Sequence, residues 1–301
     1  MRGIISIVLI AVFILFVGCR KRLDDFLFNN DNSITEYRLD NYAGELSLEL
    51  PTDYYIPESD IHQFEFTIED GDETLKIAAI FVGDVNAIQT DTVILYCHGN
   101  RDHMDHYWPR QKLLSYVGHQ GRFGVLMFDY PGYGLSEGKP TEENMYAATD
   151  GALNWLKEKG LENDRLIVYG YSLGSAATCK SAGDKSFALQ PHKIVLEAPF
   201  ASSAVMVQDA SLINMPSSYM VDIKIDNAEQ IKQCNVPLYW MHGIDDDFLS
   251  FTSHGQLVYN NHNMSWKIKS EVPGAGHNNV PVFIGLEEYK QSLLSFILSD
   301  S

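Results

Sequence analysis

Residues 170–174 of the chain read Gly170-Tyr171-Ser172-Leu173-Gly174, a G-x-S-x-G pentapeptide. An apolar run, residues 165–169, precedes it, and a run of small residues, 175–178, follows it. This context predicts a strand, a sharp turn and a helix, in which the glycines tolerate the close approach of neighbouring backbone. Such a turn raises the Ser172 hydroxyl above the end of a sheet. Five loosely defined positions recur by chance, so the motif alone is weak evidence for a catalytic serine. It becomes stronger evidence if the chain also supplies a base, an acid and oxyanion donors.

The composition is that of a folded and strongly acidic protein. The chain has 301 residues, enough for one large α/β domain or two ordinary ones. Hydrophobic residues make up 45% and charged residues 21%, which is typical of globular proteins. The formal net charge of −18 argues against nucleic acid as a partner and against electrostatic docking on an anionic membrane, since both require a basic surface.

Hydrophobic patterning predicts a hairpin followed by alternating strands and helices. Phe64, Phe66 and Ile68 alternate with polar residues, and the turn Asp70-Gly71-Asp72 joins them to a second strand, 75–82. Helical segments separate the later predicted strands, which lie at 92–97, 123–128, 165–169, 193–197, 236–241 and 266–272. This order predicts the α/β class, with a mostly parallel sheet, an antiparallel N-terminal hairpin and helices on both faces.

The first 18 residues have the pattern of a signal peptide. Residues 4–17 are almost wholly apolar, which is short for a membrane-spanning helix and suits the hydrophobic region of a signal peptide. The stretch Phe16-Val17-Gly18-Cys19 resembles the lipobox of bacterial lipoproteins, although leucine is usual where Phe16 stands. The resemblance implies lipidation of Cys19 and attachment to a membrane of the bacterial cell envelope. An uncleaved signal anchor, favoured by Arg20-Lys21-Arg22, is the alternative.

The rest of the chain divides into a leading segment and one domain. Residues 19–59 are predicted to form a lipidated tether and an edge segment, and residues 60–301 the domain itself. The connection 200–234 is longer than the others and predicts a short cap insertion. A crossover helix with a long loop explains the same length equally well.

The sequence predicts neither a metal site nor a cofactor. The run Asp102-His103-Met104-Asp105-His106 lacks the i, i+4 histidine pair and intervening glutamate of a zinc protease. A C-x-x-C spacing does not occur among the four cysteines, Cys19, Cys97, Cys179 and Cys234. Buried free thiols are predicted for Cys97 and Cys179, and a disulfide among the last three cysteines remains open.

His277 is the candidate base. It follows the predicted strand 266–272 and lies in the glycine-rich loop Pro273-Gly274-Ala275-Gly276-His277-Asn278, which can bring an imidazole close to the end of another strand. His98 and His242 each precede a glycine at a strand end, where a structural hydrogen bond is the favoured role. Surface, loop or helix positions are predicted for others, including His62, His119, His192, His254 and His262.

Three consecutive aspartates provide the candidate acid. The run Asp245-Asp246-Asp247 follows His242-Gly243, directly after the predicted strand 236–241. Chemistry alone does not distinguish the three, and two of them are expected to be solvated turn residues or helix caps. Glu197, at the end of the preceding strand, is an alternative acid, although a structural hydrogen-bond acceptor is its favoured role. The order serine, acid, histidine is the one found with nucleophile elbows of this type.

Two backbone N–H groups are expected to form an oxyanion hole. One belongs to Leu173, the residue after the serine, and the other comes from the loop His98-Gly99-Asn100, where Asn100 is the candidate. Such donors stabilise the negative charge that develops on a carbonyl oxygen during acyl transfer.

Together these motifs resemble the α/β-hydrolase superfamily over residues 60–301. They are His98-Gly99-Asn100, Asp129-Tyr130-Pro131-Gly132-Tyr133-Gly134-Leu135-Ser136, the serine pentapeptide, Ala198-Pro199-Phe200, the His-Gly-x-x-Asp run at 242–246 and Gly276-His277-Asn278. Within the superfamily the chain is similar to BEM46-like and ABHD17-like serine hydrolases, near the serine aminopeptidase S33 group. The resemblance implies that the acid is the fourth residue after His242, which is Asp246. It also implies that Asp129 belongs to a structural loop bordering the site.

The resemblance implies hydrolysis of an ester, thioester or amide through Ser172, His277 and Asp246, as in a carboxylesterase-type acyl hydrolase. The expected partner is a small-molecule, acylated or peptidyl substrate. ABHD17-like relatives act on palmitoylated proteins, but they carry an N-terminal cysteine cluster where this chain has only Cys19, so palmitate is not inferred as the substrate. The larger residues Arg101-Asp102-His103 after Asn100 also depart from the family pattern and leave the shape of the acyl pocket open.

Two other functions compete with an esterase. A serine aminopeptidase-like peptidase uses the same triad but needs an acidic subsite for the substrate amine, for which the region of the predicted cap offers Asp209, Asp222, Asp226 and Glu229. A non-catalytic α/β-hydrolase scaffold used for binding is the second alternative, because a fold by itself does not establish activity.

Overall fold

A mixed eight-stranded sheet forms the centre of the molecule. The computed structural model describes residues 27–118, 123–210 and 223–299. The strands of the sheet are β1 Ile61–Asp70, β2 Glu73–Val82, β3 Thr92–Cys97, β4 Phe123–Phe128, β5 Leu166–Tyr171, β6 Lys193–Glu197, β7 Leu238–Gly243 and β8 Lys267–Val272. Their spatial order is β1-β2-β4-β3-β5-β6-β7-β8. Strands β3 to β8 are parallel to one another. Strand β2 is antiparallel both to β1, its partner in the hairpin, and to β4. The predicted α/β fold is therefore confirmed.

Helices cover both faces of the sheet. They are α1 Met104–Ser115, α2 Glu142–Glu158, α3 Gly174–Gly183, α4 Ser203–Ala210, α5 Asn227–Gln230, α6 Gln256–Asn261, α7 Val280–Ile284 and α8 Leu286–Leu298. Side chains of α2 and α3 join one buried apolar cluster, and those of α1 and α8 join a second on the opposite face. Strands β3 to β7 are buried almost throughout, which explains why their sequences are continuous apolar runs.

Several element boundaries differ slightly from those predicted. The hairpin strands are ten residues long, because their pairing continues from Ile61 with Val82 to Asp70 with Glu73. Strand β5 extends through Tyr171, since the last two residues of the strand still pair with β6. The strand therefore leads directly into the serine turn.

Residues 27–59 pack against the domain. The first two described side chains are buried, and the short strand Asn29–Asn30 pairs in parallel with Arg101–Asp102. Further along this N-terminal segment, three apolar side chains enter the core, those of Leu48, Tyr54 and Ile56. The part of the predicted tether and edge segment that the structure describes thus belongs to the folded domain.

Parts of the predicted organisation lie outside the described residues. The signal peptide 1–18 and Cys19 are outside them, as are residues 211–222 in the middle of the connection 200–234. Across residues 27–118, 123–210 and 223–299, no helix combines the length and apolar character needed to cross a bilayer.

Candidate active site

Ser172 lies in a sharp turn between β5 and α3. Its φ is 51°, in the left-handed region that residues with a side chain rarely adopt. A Cβ added to Gly170 would lie 2.4 Å from Thr178 Oγ1, and one added to Gly174 would lie 1.9 Å from the Cys97 carbonyl oxygen. Both positions therefore require glycine, and the pentapeptide reflects the tight packing of β5, α3 and β3.

The turn brings Ser172 together with His277 and Asp246. Nε2 of His277 is 2.9 Å from Ser172 Oγ, and Nδ1 is 2.8 Å from Asp246 Oδ2. A carboxylate only accepts hydrogen bonds, so Nδ1–H donates to Asp246 and Nε2 accepts from the Ser172 hydroxyl. Ser172 is 5% exposed, so its hydroxyl is largely shielded from bulk water.

Asp246 is held in its ionised form by its surroundings. Its Oδ1 accepts hydrogen bonds from the backbone N–H groups of Phe248, at 3.0 Å, and Leu249, at 2.7 Å. Burial alone would raise the pKa of Asp246, but hydrogen bonds from His242, His277 and the Leu249 N–H outweigh burial and hold this pKa well below its ordinary value. His242 Nε2 lies 3.2 Å from Asp246 Oδ2 and 2.9 Å from the Leu249 carbonyl, in agreement with its predicted structural hydrogen bonding.

The other candidate acids have different surroundings. Asp245 and Asp247 are exposed, as expected for solvated turn residues. Glu197 is fully buried and accepts hydrogen bonds from Arg110 and from the hydroxyl of Tyr169. Its predicted role as a structural acceptor is confirmed.

Two buried histidines take part in structural hydrogen bonds. His98 Nδ1 bonds to the Gly99 carbonyl at 2.7 Å, and its Nε2 lies 3.2 Å from the carboxylate of Asp129, whose other oxygen accepts from the Tyr37 hydroxyl at 2.6 Å. His262, for which a surface or loop position is predicted, is 2% exposed, and its Nε2 bonds to the Val236 carbonyl at 3.0 Å. The imidazole can be buried because this carbonyl satisfies one ring nitrogen. Burial lowers the pKa of His262 to about 4.

The oxyanion candidates flank the serine. Leu173 is the next residue and precedes the first turn of α3. Asn100 lines the same cavity as Ser172. The Asn100 carbonyl accepts hydrogen bonds from the Asn29 N–H and the Tyr133 hydroxyl, both at 3.0 Å, which fixes the orientation of the loop after β3.

A cavity of about 320 Å³ opens beside Ser172 and His277. The ring of Phe248 meets the His277 ring edge-on, with 5.0 Å between their centres. A second cavity of about 490 Å³ shares Asp247 and Phe248 with the first. Together these spaces are large enough for a small organic ligand next to the serine hydroxyl.

The histidines of the run 102–106 have separate partners. His106 Nδ1 lies 3.1 Å from Asp102, whereas His103 is buried 4.0 Å from both Asp31 and Asp105. In the part of the chain that the structure describes, no three His, Cys, Asp or Glu side chains are grouped as ligands of a metal ion. The predicted buried thiols are confirmed, and the free buried cysteines are Cys97, Cys179 and Cys234.

Sequence comparisons agree with this fold. A family profile described as alpha/beta hydrolase fold matches residues 92–215. The alpha/beta hydrolase domain-containing protein aho-3 of Caenorhabditis elegans is 30% identical over 209 residues, 68% of this chain and 57% of that protein. The human alpha/beta hydrolase domain-containing protein 17B is 28% identical over 230 residues, 74% of this chain and 71% of that protein. The chain has the α/β-hydrolase fold.

Solved structures show the same fold. The chain is similar to an esterase from Pyrococcus furiosus, with a TM-score of 0.63 and 17% identity over 90% of this chain and 97% of the esterase. It is also similar to an esterase from Rhodococcus, with a TM-score of 0.56 and 16% identity over 80% of this chain and 99% of that one. The resemblance to ABHD17-like hydrolases is confirmed by the curated relatives, although the chain spans only 57% of the nematode protein and 59% of protein 17C of Mus musculus.

Near Ser172, Asp246 and His277 the chain contains further buried polar residues that motif spacing does not reveal. Arg110 of α1 is completely buried, and Glu45 of the N-terminal segment is 5% exposed. A signal for Arg110 does exist, because it shares a helix face with Tyr107 and Leu114, where an apolar residue is expected. Glu45 has no comparable signal, because it lies in a stretch without helical or strand periodicity.

Proposed function

We propose that this α/β hydrolase is a serine hydrolase that cleaves an ester, thioester or amide through an acyl-enzyme. The observation that supports the proposal is the continuous hydrogen-bond chain from Ser172 Oγ through His277 to Asp246, with links of 2.9 and 2.8 Å. A serine hydroxyl is a weak nucleophile until a neighbouring base accepts its proton, and that base must be oriented by a third group.

In the proposed first half-reaction, His277 Nε2 accepts the hydroxyl proton as Ser172 Oγ attacks the carbonyl carbon of the substrate. Asp246 stabilises the imidazolium that forms, and the N–H groups of Leu173 and Asn100 receive the oxyanion. Collapse of the tetrahedral intermediate expels an alcohol, thiol or amine, which takes the proton from His277.

In the second half-reaction, a water molecule replaces the leaving group. His277 accepts a proton from this water as the water oxygen attacks the acyl carbon. The second tetrahedral intermediate releases the carboxylic acid, and the proton returns from His277 to Ser172 Oγ. The enzyme is then restored without any cofactor.

We favour an ester over a peptide with a free α-amino group as the substrate. An aminopeptidase would need a carboxylate to bind that amine, and the described candidate carboxylates already bind other groups of the chain. Asp226 caps α5 by accepting the Glu229 N–H at 3.0 Å, and the Glu229 side chain pairs with Lys232. Asp209 accepts a hydrogen bond from Ser253. The remaining carboxylate, Asp222, lies outside the described residues.

Ser172→Ala tests the proposal. We expect turnover of a panel of p-nitrophenyl esters, thioesters and aminoacyl amides to fall by several orders of magnitude, on the order of 10⁶ in serine proteases. The matched control is Ser265→Ala, an exposed serine that lines neither cavity, which should retain activity. The parent chain should also react with a fluorophosphonate probe. A Ser172→Ala variant that hydrolyses the panel as fast as the parent would contradict the proposal, and an unreactive parent would favour a binding scaffold.

We also propose that the mature chain is attached to a membrane through lipidated Cys19. The support comes from sequence alone, namely the apolar residues 4–17 and the lipobox-like stretch 16–19. The intact mass of the chain purified from a lipoprotein-processing bacterium should lack residues 1–18 and include acyl groups. Cys19→Ala should abolish both changes. A parent mass that still includes residues 1–18 would support the uncleaved signal anchor instead.

A further inference from the structure

A buried ionic cluster lies beside the cavity next to Ser172 and His277, and one of its members, Glu45, lines that cavity. Arg110 of α1 is fully buried between two carboxylates. Its Nη1 donates to both oxygens of Glu197 at 2.6 Å, while Nε and Nη2 donate to Glu45 at 3.0 and 2.8 Å. Glu197 ends β6 and Glu45 belongs to the N-terminal segment, so the guanidinium joins three distant parts of the chain.

The cluster extends to the loop after β8, which carries the catalytic histidine. Arg110 Nη2 donates to the Asn278 carbonyl at 3.3 Å, and the guanidinium carbon lies 4.0 Å from the centre of the Tyr171 ring. The Tyr171 hydroxyl donates to Asn278 Oδ1 at 2.6 Å. Ser47 of the N-terminal segment donates to the same Asn278 carbonyl at 3.2 Å. Donors from three elements therefore converge on one residue.

Asn278 is adjacent in sequence to the proposed base, and its hydrogen-bond partner Tyr171 is adjacent to the proposed nucleophile. Tyr171 precedes Ser172, and Asn278 follows His277. The hydrogen bond between Tyr171 and Asn278 thus joins β5 to the same loop as the bond between Ser172 and His277. Because a planar peptide unit links Asn278 to His277, movement of one displaces the other.

We propose that Glu45 and Arg110 are positioning residues for the triad. They hold Tyr171 and Asn278 in place and so keep the imidazole of His277 within hydrogen-bond distance of Ser172. The inference rests on the proposed serine-hydrolase function and assigns a specific part of it to the N-terminal segment.

The presence of a second buried carboxylate supports a positioning role for Glu45. Arg110 and Glu197 alone form a neutral buried pair, and Glu45 adds a second carboxylate that must also lose its hydration. Buried ion networks are seldom the most stabilising solution for a core, and they are better known for fixing a particular arrangement. Glu45 fixes the orientation of the guanidinium plane, because it accepts hydrogen bonds from both Nε and Nη2 of Arg110. That orientation aims Nη2 at Asn278 and keeps the guanidinium over the Tyr171 ring.

Glu45→Gln in the full chain tests the proposal. Glutamine preserves the shape of the side chain but turns an amide NH₂ toward an arginine donor, which weakens the orientation of Arg110. The matched control is Asp40→Asn. Asp40 lies in the same segment and also binds α1, but its contacts are with Trp108 and Lys112.

We expect Glu45→Gln to lower kcat for a p-nitrophenyl ester roughly ten- to a hundred-fold with a nearly unchanged KM, because a displaced base affects the transition state more than substrate binding. Tyr171→Phe should have a similar effect, and the double variant should lose less than the product of the two single losses. Thermal melting should be similar for Glu45→Gln and Asp40→Asn. The proposal would be overturned if Glu45→Gln and Tyr171→Phe both kept the kcat of the parent. It would also be overturned if Asp40→Asn lost as much kcat as Glu45→Gln.

An NMR measurement separates this proposal from the proposed function. The Nδ1 proton of His277, bonded to Asp246, should give a low-field signal that shifts in Glu45→Gln and stays unchanged in Asp40→Asn. An unshifted signal in Glu45→Gln overturns the positioning role whatever the chain hydrolyses. A shifted signal in a protein that hydrolyses no ester, thioester or amide supports the positioning role and contradicts the proposed function.

Discussion

At the scale of the residue, the choice among three adjacent aspartates depends on which carboxylate receives hydrogen bonds. Oδ1 of Asp246 receives two backbone N–H groups, and Oδ2 receives the His277 Nδ1–H. Asp245 and Asp247 remain exposed on either side. One carboxylate is thus prepared to stabilise an imidazolium, because it is already ionised and its orientation is fixed.

Asp246→Asn should therefore be far more damaging than the same change at its neighbours. An asparagine can present its NH₂ group to His277 Nδ1, which favours the tautomer that cannot accept the Ser172 proton. We expect kcat to fall by roughly 10⁴ in Asp246→Asn. Asp245→Asn and Asp247→Asn, assayed with the same p-nitrophenyl ester, serve as matched controls and should retain most activity. A larger loss at either neighbour would assign the acid to that residue.

At the scale of the element, the turn between β5 and α3 tolerates no side chain at its glycines. A methyl group on Gly174 can be accommodated only if α3 moves away from β3, because the Cys97 carbonyl is fixed in the sheet. Gly174→Ala should lower the free energy of unfolding by at least about 3 kcal/mol, the upper end for overpacking, as measured by urea denaturation.

Gly276→Ala is the control for this substitution. Its added Cβ would have no neighbour closer than 3.9 Å, so the variant should unfold at nearly the parent urea concentration. Equal stability of the Gly174→Ala and Gly276→Ala variants would show that α3 can shift more freely than its packing indicates.

Elements with regular periodicity were the ones that the sequence predicted best. Strands β3 to β7 are apolar throughout because both faces are covered, and β1 alternates because one side of the hairpin meets solvent. The packing of the N-terminal segment was not predictable in this way. Its buried apolar side chains in this stretch, Leu48, Tyr54 and Ile56, are too few and too far apart to form a pattern that predicts a helix or a strand.

The same distinction applies to the site. Ser172, Asp246 and His277 could be named because each follows a strand with a recognisable pattern, and parallel strands end at the same edge of a sheet. The pairing of Arg110 with Glu45 could not be predicted, because the two residues are 65 positions apart and no local pattern links them. Only the folded chain shows that they meet.

At the scale of the whole molecule, one buried histidine makes folding depend on pH. Burial lowers the pKa of His262 to about 4, from an ordinary value of 6.5. Between these values the unfolded chain binds a proton at this position while the folded chain does not. The stability that His262 contributes is therefore fully present above about pH 6.5 and is lost as the pH falls toward 4.

His262→Gln should flatten this dependence. Glutamine can still donate an N–H to the Val236 carbonyl but does not titrate, so the free energy of unfolding should fall less between pH 7 and 4 than in the parent. Urea denaturation at several pH values measures the difference. A variant whose stability falls as steeply as the parent's would show that His262 is protonated to the same extent in the folded and unfolded chains.

The pairing of Asn29–Asn30 with Arg101–Asp102 determines where the chain enters the domain. Asn29 bonds to the carbonyl of Asn100, which lines the cavity beside Ser172, so the N-terminal segment joins the domain next to the candidate active site. The ten residues from Cys19 to Asn29 reach at most about 35 Å when fully extended. If the chain is anchored at Cys19 as proposed, the residue at which it enters the domain lies within that distance of the bilayer, and its search for substrate becomes a two-dimensional one along the lipid surface.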